Sequence, residues 1–112
     1  MVLDKAKELA AEIRASNEFK RFEAAKAAVG ESEMTRNLLK EYGRLRVQAQ
    51  ADAVAGKDDA ETLEKLQKLG ELLQMDRAAS EYLMAEFMLS RTVGDVYRMI
   101  AEAAGLDLSM LE

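Results

Sequence analysis

No proline interrupts this chain of 112 residues. Proline lacks the backbone N–H and its ring clashes with the preceding turn, so it is the strongest helix breaker. Its absence, beside runs such as AKELAAEI and LEKLQKLGELLQ, predicts helices limited only by glycine and by capping residues. The chain also has no histidine, no cysteine and no tryptophan. The commonest nucleophiles, general bases and transition-metal ligands are therefore missing, and no enzymatic activity is expected. What the helices present to a partner is the expected function.

A chain of this length is expected to form one domain, residues 1–112, burying about two-thirds of the surface its unfolded form exposes. Hydrophobic residues make up 49% but aromatics only 5%, and much of the apolar share is alanine, a pattern suited to bundles with narrow seams. Twenty-one acidic against sixteen basic residues give a net charge of −5. That charge opposes attraction to nucleic-acid phosphates and to anionic lipid, so neither direct nucleic-acid binding nor a membrane partner is expected. No run approaches the ~20 apolar residues that span a bilayer. The N-terminal MVLDKAKELAAEI alternates charge at helical spacing instead of forming a signal-peptide core. With no cysteine to oxidise, the expected location is the cytoplasm.

Periodicity and punctuation define five segments. Over 2–14, Leu3, Ala6, Leu9, Ala10 and Ile13 recur at helical intervals with lysines and glutamates between them. Ser16 or Asn17 is the expected cap of a second helix, 17–28, with Phe19 and Phe22 one turn apart and Gly30 closing it in a left-handed conformation. The third starts at Ser32 and runs to Ala55 before Gly56; Leu38, Tyr42, Leu45 and Ala49 form a heptad-like seam that fades toward the tip. Asp58 or Asp59 caps the fourth, 60–74, which carries Leu63, Leu66, Leu69, Leu72 and Leu73. Asp76 caps the last, 77–104, which stops at Gly105. The fold class is thus all-α: an elongated bundle of about five helices with a long helical hairpin, oligomeric for the following reason.

A helix of 28 residues is ~42 Å long at 1.5 Å per residue, whereas a compact domain of this size is about 34 Å across. The apolar stripe of the last helix is too long for one chain to cover easily, the alternative being a helix bent at Gly94 and packed wholly within the monomer. Tyr82, Glu86, Leu89, Val93, Val96 and Ile100 are therefore the candidate oligomer or partner interface, with a two-fold homodimer as the simplest arrangement. Glu86 sits in this seam and must reach a cation, a donor or solvent. Leu89→Asp or Val93→Asp is expected to give a monomer or to unfold the chain, because a carboxylate would be buried unpaired.

Other chemistries fail on spacing. A di-iron bundle needs Glu-x-x-His pairs, an EF-hand needs acidic ligands around a central glycine, and nucleotide binding needs a glycine-rich phosphate loop; none is present. Glu31 with Glu33, and Asp58, Asp59 and Glu61, sit where helix N-termini favour negative charge, and no metal or cofactor is expected. Lys20, Arg21, Lys26, Arg44 and Arg46 are interleaved with acids and read as a solvated face. Met75, Met84, Met88 and Met99 read as core filling, with an adaptable docking surface as the alternative use.

The run AxELAxEIxxSxEF at 6–19, the central helix ending at Gly56, the return KLQKLGELLQ and the segment EYLMAEFMLSRTVGDVYRMI at 81–100 together resemble the YlbF/YmcA family of small bacterial regulators. The resemblance covers nearly the whole chain and implies a cytoplasmic, all-helical, oligomeric protein without enzymatic activity. Some members of that family join related subunits and a further protein, influence biofilm formation, competence and sporulation, and act with the ribonuclease that processes messenger RNA. Those members hold iron–sulfur clusters on cysteines that this chain lacks, which sets it nearer the self-associating branch. The positions matching the family's apolar pattern are Leu9, Ile13, Phe19, Leu38, Tyr82, Leu89 and Ile100. The expectation is an oligomeric regulatory adaptor, with related subunits or ribonuclease-complex proteins as partners. The rival readings are a holdase or export-type chaperone using Met-rich helices, and a direct RNA-binding module.

Overall fold

The computed structural model describes residues 1–57 and 59–106. Among them the chain forms five helices: α1 (Val2–Ala15), α2 (Asn17–Gly30), α3 (Glu33–Val54), α4 (Ala60–Met75) and α5 (Arg77–Ala104). Side chains fix where each begins. Ser16 is extended between α1 and α2, and its hydroxyl donates to the carbonyl of Ile13 (2.6 Å) while accepting the N–H of Phe19 (3.2 Å). One hydroxyl thus ends one helix and starts the next. Ser32 accepts the N–H of Thr35 at the head of α3, Asp59 those of Glu61 and Thr62 at the head of α4, and Asp76 that of Ala79 at the head of α5. Asp58, the other candidate cap, lies outside the described residues.

Two glycines end helices as expected. Gly56 (φ 72°) and Gly105 (φ 71°) take the left-handed conformation, and the N–H groups beyond them reach back to Asp52 (2.7 Å) and Ala101 (2.9 Å), closing the carbonyl ends of α3 and α5. Gly30 differs from expectation. It is the last residue of α2 and has no positive φ, because the helix tightens there: Glu31 and Ser32 bond back three residues, to Ala28 and Val29.

The chain packs as two compact units, residues 24–83 and residues 1–23 with 84 onward. The first is built on an antiparallel hairpin of α3 and α4. Thr35 at the start of α3 meets Asp76 at the end of α4, and at the opposite end Ala49 and Ala53 line a small hollow with Thr62 and Leu63. Leu45 and Leu73, 4% and 1% exposed, anchor the core, with Ala25, Val29 and Ala79 also buried. The inner face of α4 is Thr62, Leu66, Leu69 and Leu73; Leu63 and Leu72, read from sequence as part of its stripe, are each 51% exposed. A run with leucine at every third position drifts around the helix, so only part of it can face one neighbour.

Buried threonines mark both ends of the hairpin. Thr35, 3% exposed, donates its hydroxyl to Oδ2 of Asp76 at 2.6 Å, tying the head of α3 to the junction of α4 and α5. The hydroxyl of Thr35, followed by the N–H groups of Ala79 and Ala78, holds the Asp76 carboxyl below the usual carboxylate range. Thr62, through its hydroxyl and its N–H, does the same for Asp59.

Two sets of variants test this frame. Gly43 lies within α3 with open space where a Cβ would stand, so Gly43→Ala should gain about 0.5–1 kcal/mol, whereas Gly56→Ala should cost about 1–2 kcal/mol because its φ is left-handed. Denaturant titration reads both signs. Asp76→Ala should cost roughly 2–3 kcal/mol by removing a helix cap and orphaning a buried hydroxyl, and Thr35→Val should cost less. The lowered carboxyl of Asp76 supplies stability that is complete above about pH 4 and lost as pH falls further. Asp76→Asn should therefore flatten the decline of the thermal midpoint below that pH.

Candidate interaction surface

The described residues of the second unit do not close a core. Among its described residues only the alanines Ala85 and Ala101 are buried, and α1 contributes no buried residue at all. Leu9, Ile13, Phe19, Phe22, Leu89 and Val96 are half-buried, and Phe87, Val93, Tyr97 and Ile100 are exposed. Each of these large side chains keeps apolar area in water at a cost of about 25 cal/mol per Å2 relative to burial.

The six residues of the proposed seam separate on α5. At 100° per residue, Ala85, Leu89 and Val96 fall within about 40° of one another and are turned toward their own unit. Val93 and Ile100, 45% and 58% exposed, lie on the adjoining sector with Tyr97, 47% exposed, which periodicity in the sequence did not pick out. The stripe is one broad apolar face whose first edge is covered from within and whose second edge is open. Glu86 is half-buried, and so is Tyr82, which belongs to the other unit.

The methionines correct an expectation. Met75, Met84, Met88 and Met99 are 85%, 53%, 41% and 68% exposed, so none fills a core. Met84 lies on the side of α5 opposite Val93 and Ile100, whereas Met88 and Met99 lie between that side and the sector of Ala85. The guanidinium of Arg21 stands 3.4 Å from the sulfur of Met88 and 3.7 Å from that of Met84. Other basic residues are engaged locally as well. Arg44 pairs with Glu41, whose carboxyl is lowered chiefly by that hydrogen bond, and Arg46 lies 5.8 Å from the ring centre of Tyr42. Among the described residues no group of three or more Asp, Glu, His or Cys could hold a metal ion, and no helix is long and apolar enough to cross a membrane.

The division of the stripe separates two variants that sequence alone treats alike. Leu89→Asp should lower stability by about 2–3 kcal/mol, because it places a carboxylate against its own unit. Val93→Asp should leave helicity and unfolding of the isolated chain nearly unchanged while weakening association. Circular dichroism and sedimentation measured on both variants check the contrast.

The family described as "Control of competence regulator ComK, YlbF/YmcA" matches residues 2–104. A UPF0342 protein of Caldicellulosiruptor saccharolyticus is 31% identical over 106 residues, covering 94% of this chain and 88% of that protein. One from Symbiobacterium thermophilum is 32% identical over 106 residues, covering 94% and 95%. Among solved structures, a protein of unknown function (DUF964) from Bacillus stearothermophilus superposes with a TM-score of 0.78 at 19% identity, covering 93% and 92% of the two chains. Bacillus subtilis RicA, in its complex with RicF, gives a TM-score of 0.62 at 18% identity and covers 93% of each chain. At such identities the two structures establish a common fold. Extending over all five helices, the family match shows that this chain belongs to the YlbF/YmcA family.

Proposed function

We propose that this chain is a non-enzymatic, cytoplasmic regulatory adaptor that works as a homo-oligomer, most simply a dimer. Its helix surfaces engage related subunits or proteins of a ribonuclease complex, and through them the RNA-decay machinery and developmental programmes such as biofilm formation, competence and sporulation. Family membership supports the regulatory role, and the RicA–RicF complex is a case of a protein of this fold held by a protein partner.

One observation carries the reading. Among the described residues of the unit holding α1 and most of α5 only Ala85 and Ala101 are buried, while Val93, Tyr97 and Ile100 stand 45%, 47% and 58% exposed. Surface of this kind, apolar and built from helix faces, suits protein contacts. The exposed methionines favour a second reading, a holdase with an adaptable surface, because flexible thioether side chains can repack against unlike clients.

Crosslinking in the native host followed by capture separates the readings. The adaptor should bring down family subunits or ribonuclease-complex proteins in fixed ratio; a diverse set of unstable clients would favour the holdase instead. Purified protein titrated against RNA should show little affinity at ordinary salt. Tight binding that weakens steeply as salt rises would overturn the adaptor reading in favour of direct RNA recognition.

A further inference from the structure

We propose that Met84, Met88 and Arg21 form a modification site, at which a peroxide oxidises the two methionines and the guanidinium holds the resulting sulfoxides. Met84 and Met88 stand one turn apart on α5, and Arg21 reaches both from α2. One terminal nitrogen of the guanidinium lies 3.4 Å from Sδ of Met88 and the other 3.7 Å from Sδ of Met84. A guanidinium carries its N–H groups in a fixed fork, and here the two prongs take one sulfur each. All three side chains are exposed, so an oxidant reaches the sulfurs from solvent without any packing having to open.

The chemistry of oxidation fits this geometry. A lone pair of the thioether sulfur attacks one oxygen of hydrogen peroxide, the O–O bond breaks and an S–O bond forms. The departing hydroxide takes the proton from the transferred oxygen, leaving a sulfoxide and one water; sulfur gives up two electrons and the peroxide accepts them. A thioether is a weak acceptor, whereas the sulfoxide oxygen is strongly dipolar and accepts a charge-assisted bond from a guanidinium. With an S–O bond of about 1.5 Å and an N–H···O separation of about 2.9 Å, such a bond sets sulfur and nitrogen about 3.9 Å apart. The present separations differ from that by only a few tenths of an ångström. Exposed side chains adjust by that much without disturbing their helices.

The consequence has an unusual sign. Methionine sulfoxide disrupts a protein where the methionine fills a core. Neither Met84 nor Met88 does, so little is lost, and two stronger bonds are gained between α2 and α5. The same guanidinium argues against the other use of a paired thioether, binding of a soft monovalent metal, because it sets a positive charge against both sulfurs. It also draws on the lone pair that must attack the peroxide. Met84 and Met88 should therefore oxidise more slowly than the more exposed Met34, Met75 and Met99, and what marks the site is the fate of its product.

The purified chain is treated with hydrogen peroxide until mass mapping finds all its methionines converted, and its thermal midpoint is compared with that of untreated protein. Met84→Leu/Met88→Leu, treated alike, reports the effect of the remaining methionines. Relative to that variant, oxidation should raise the wild-type midpoint by about 4 °C. Arg21→Ala should abolish the difference. Hydrogen exchange on the wild type needs no variant: oxidation should slow exchange of the α2 amides around Arg21 about fivefold and leave those of α3 and α4 unchanged. A wild-type midpoint that falls, or moves only as far as that of the leucine variant, overturns the site. So does a rise that survives Arg21→Ala, or α2 exchange that stays the same or quickens. Met84 and Met88 still unoxidised after Met34, Met75 and Met99 are fully converted would show that no modification occurs there.

Discussion

Two helices packed side by side cannot enclose a large side chain, and this constraint governs the protein. In the unit formed by α1, the start of α2 and most of α5, alanine alone among the described residues reaches burial, because a side chain lying between two cylinders still has solvent above and below it. Larger groups there are held at their edges only. The α5 face is wide enough to bury one sector against its own unit and still leave Val93, Tyr97 and Ile100 open. A further helix is needed to cover it, and the described residues of that unit do not supply one.

The hairpin unit obeys the same constraint and meets it differently. There α3 and α4 are joined by the end of α2 and the first turns of α5, and with those elements added Leu45 and Leu73 become buried. Polar groups fix the geometry at its ends. Thr35 and Asp76 join three helix ends with one hydroxyl and one carboxylate, whose two oxygens act separately, Oδ1 capping α5 while Oδ2 receives the threonine. Among the described residues no buried side-chain donor or acceptor lacks a partner, so the polar contacts define the junction without an uncompensated cost.

Much of this was legible in the sequence because the signals are local. Ser16, Ser32, Asp59 and Asp76 announce helix starts through hydrogen bonds to their own neighbours, and Gly56 and Gly105 announce ends through a backbone conformation that needs no tertiary context. What failed depends on neighbours. Gly30 offered the same residue type as Gly56, but the turn after it is tight and needs no left-handed residue. Leu63 and Leu72 look as apolar as Leu73, yet only the placement of α3 decides which of them is covered. Thr35 and Thr62 were missed as core residues because a hydroxyl reads as polar until its acceptor is known. The candidate surface was half legible: periodicity found the α5 stripe and its excess length, but not the division between its covered and open sectors, nor the part played by Tyr97.

If the open sector is completed by assembly, the two units must differ in what keeps them ordered. Hydrogen exchange followed amide by amide across a dilution series measures that difference. Protection of α1 and of the C-terminal half of α5 should fall as the protein is diluted, while α3 and α4 keep theirs. Amides of α1 that stay equally protected at the greatest dilution would show that a single chain completes its own structure, and the open sector would then need no second copy.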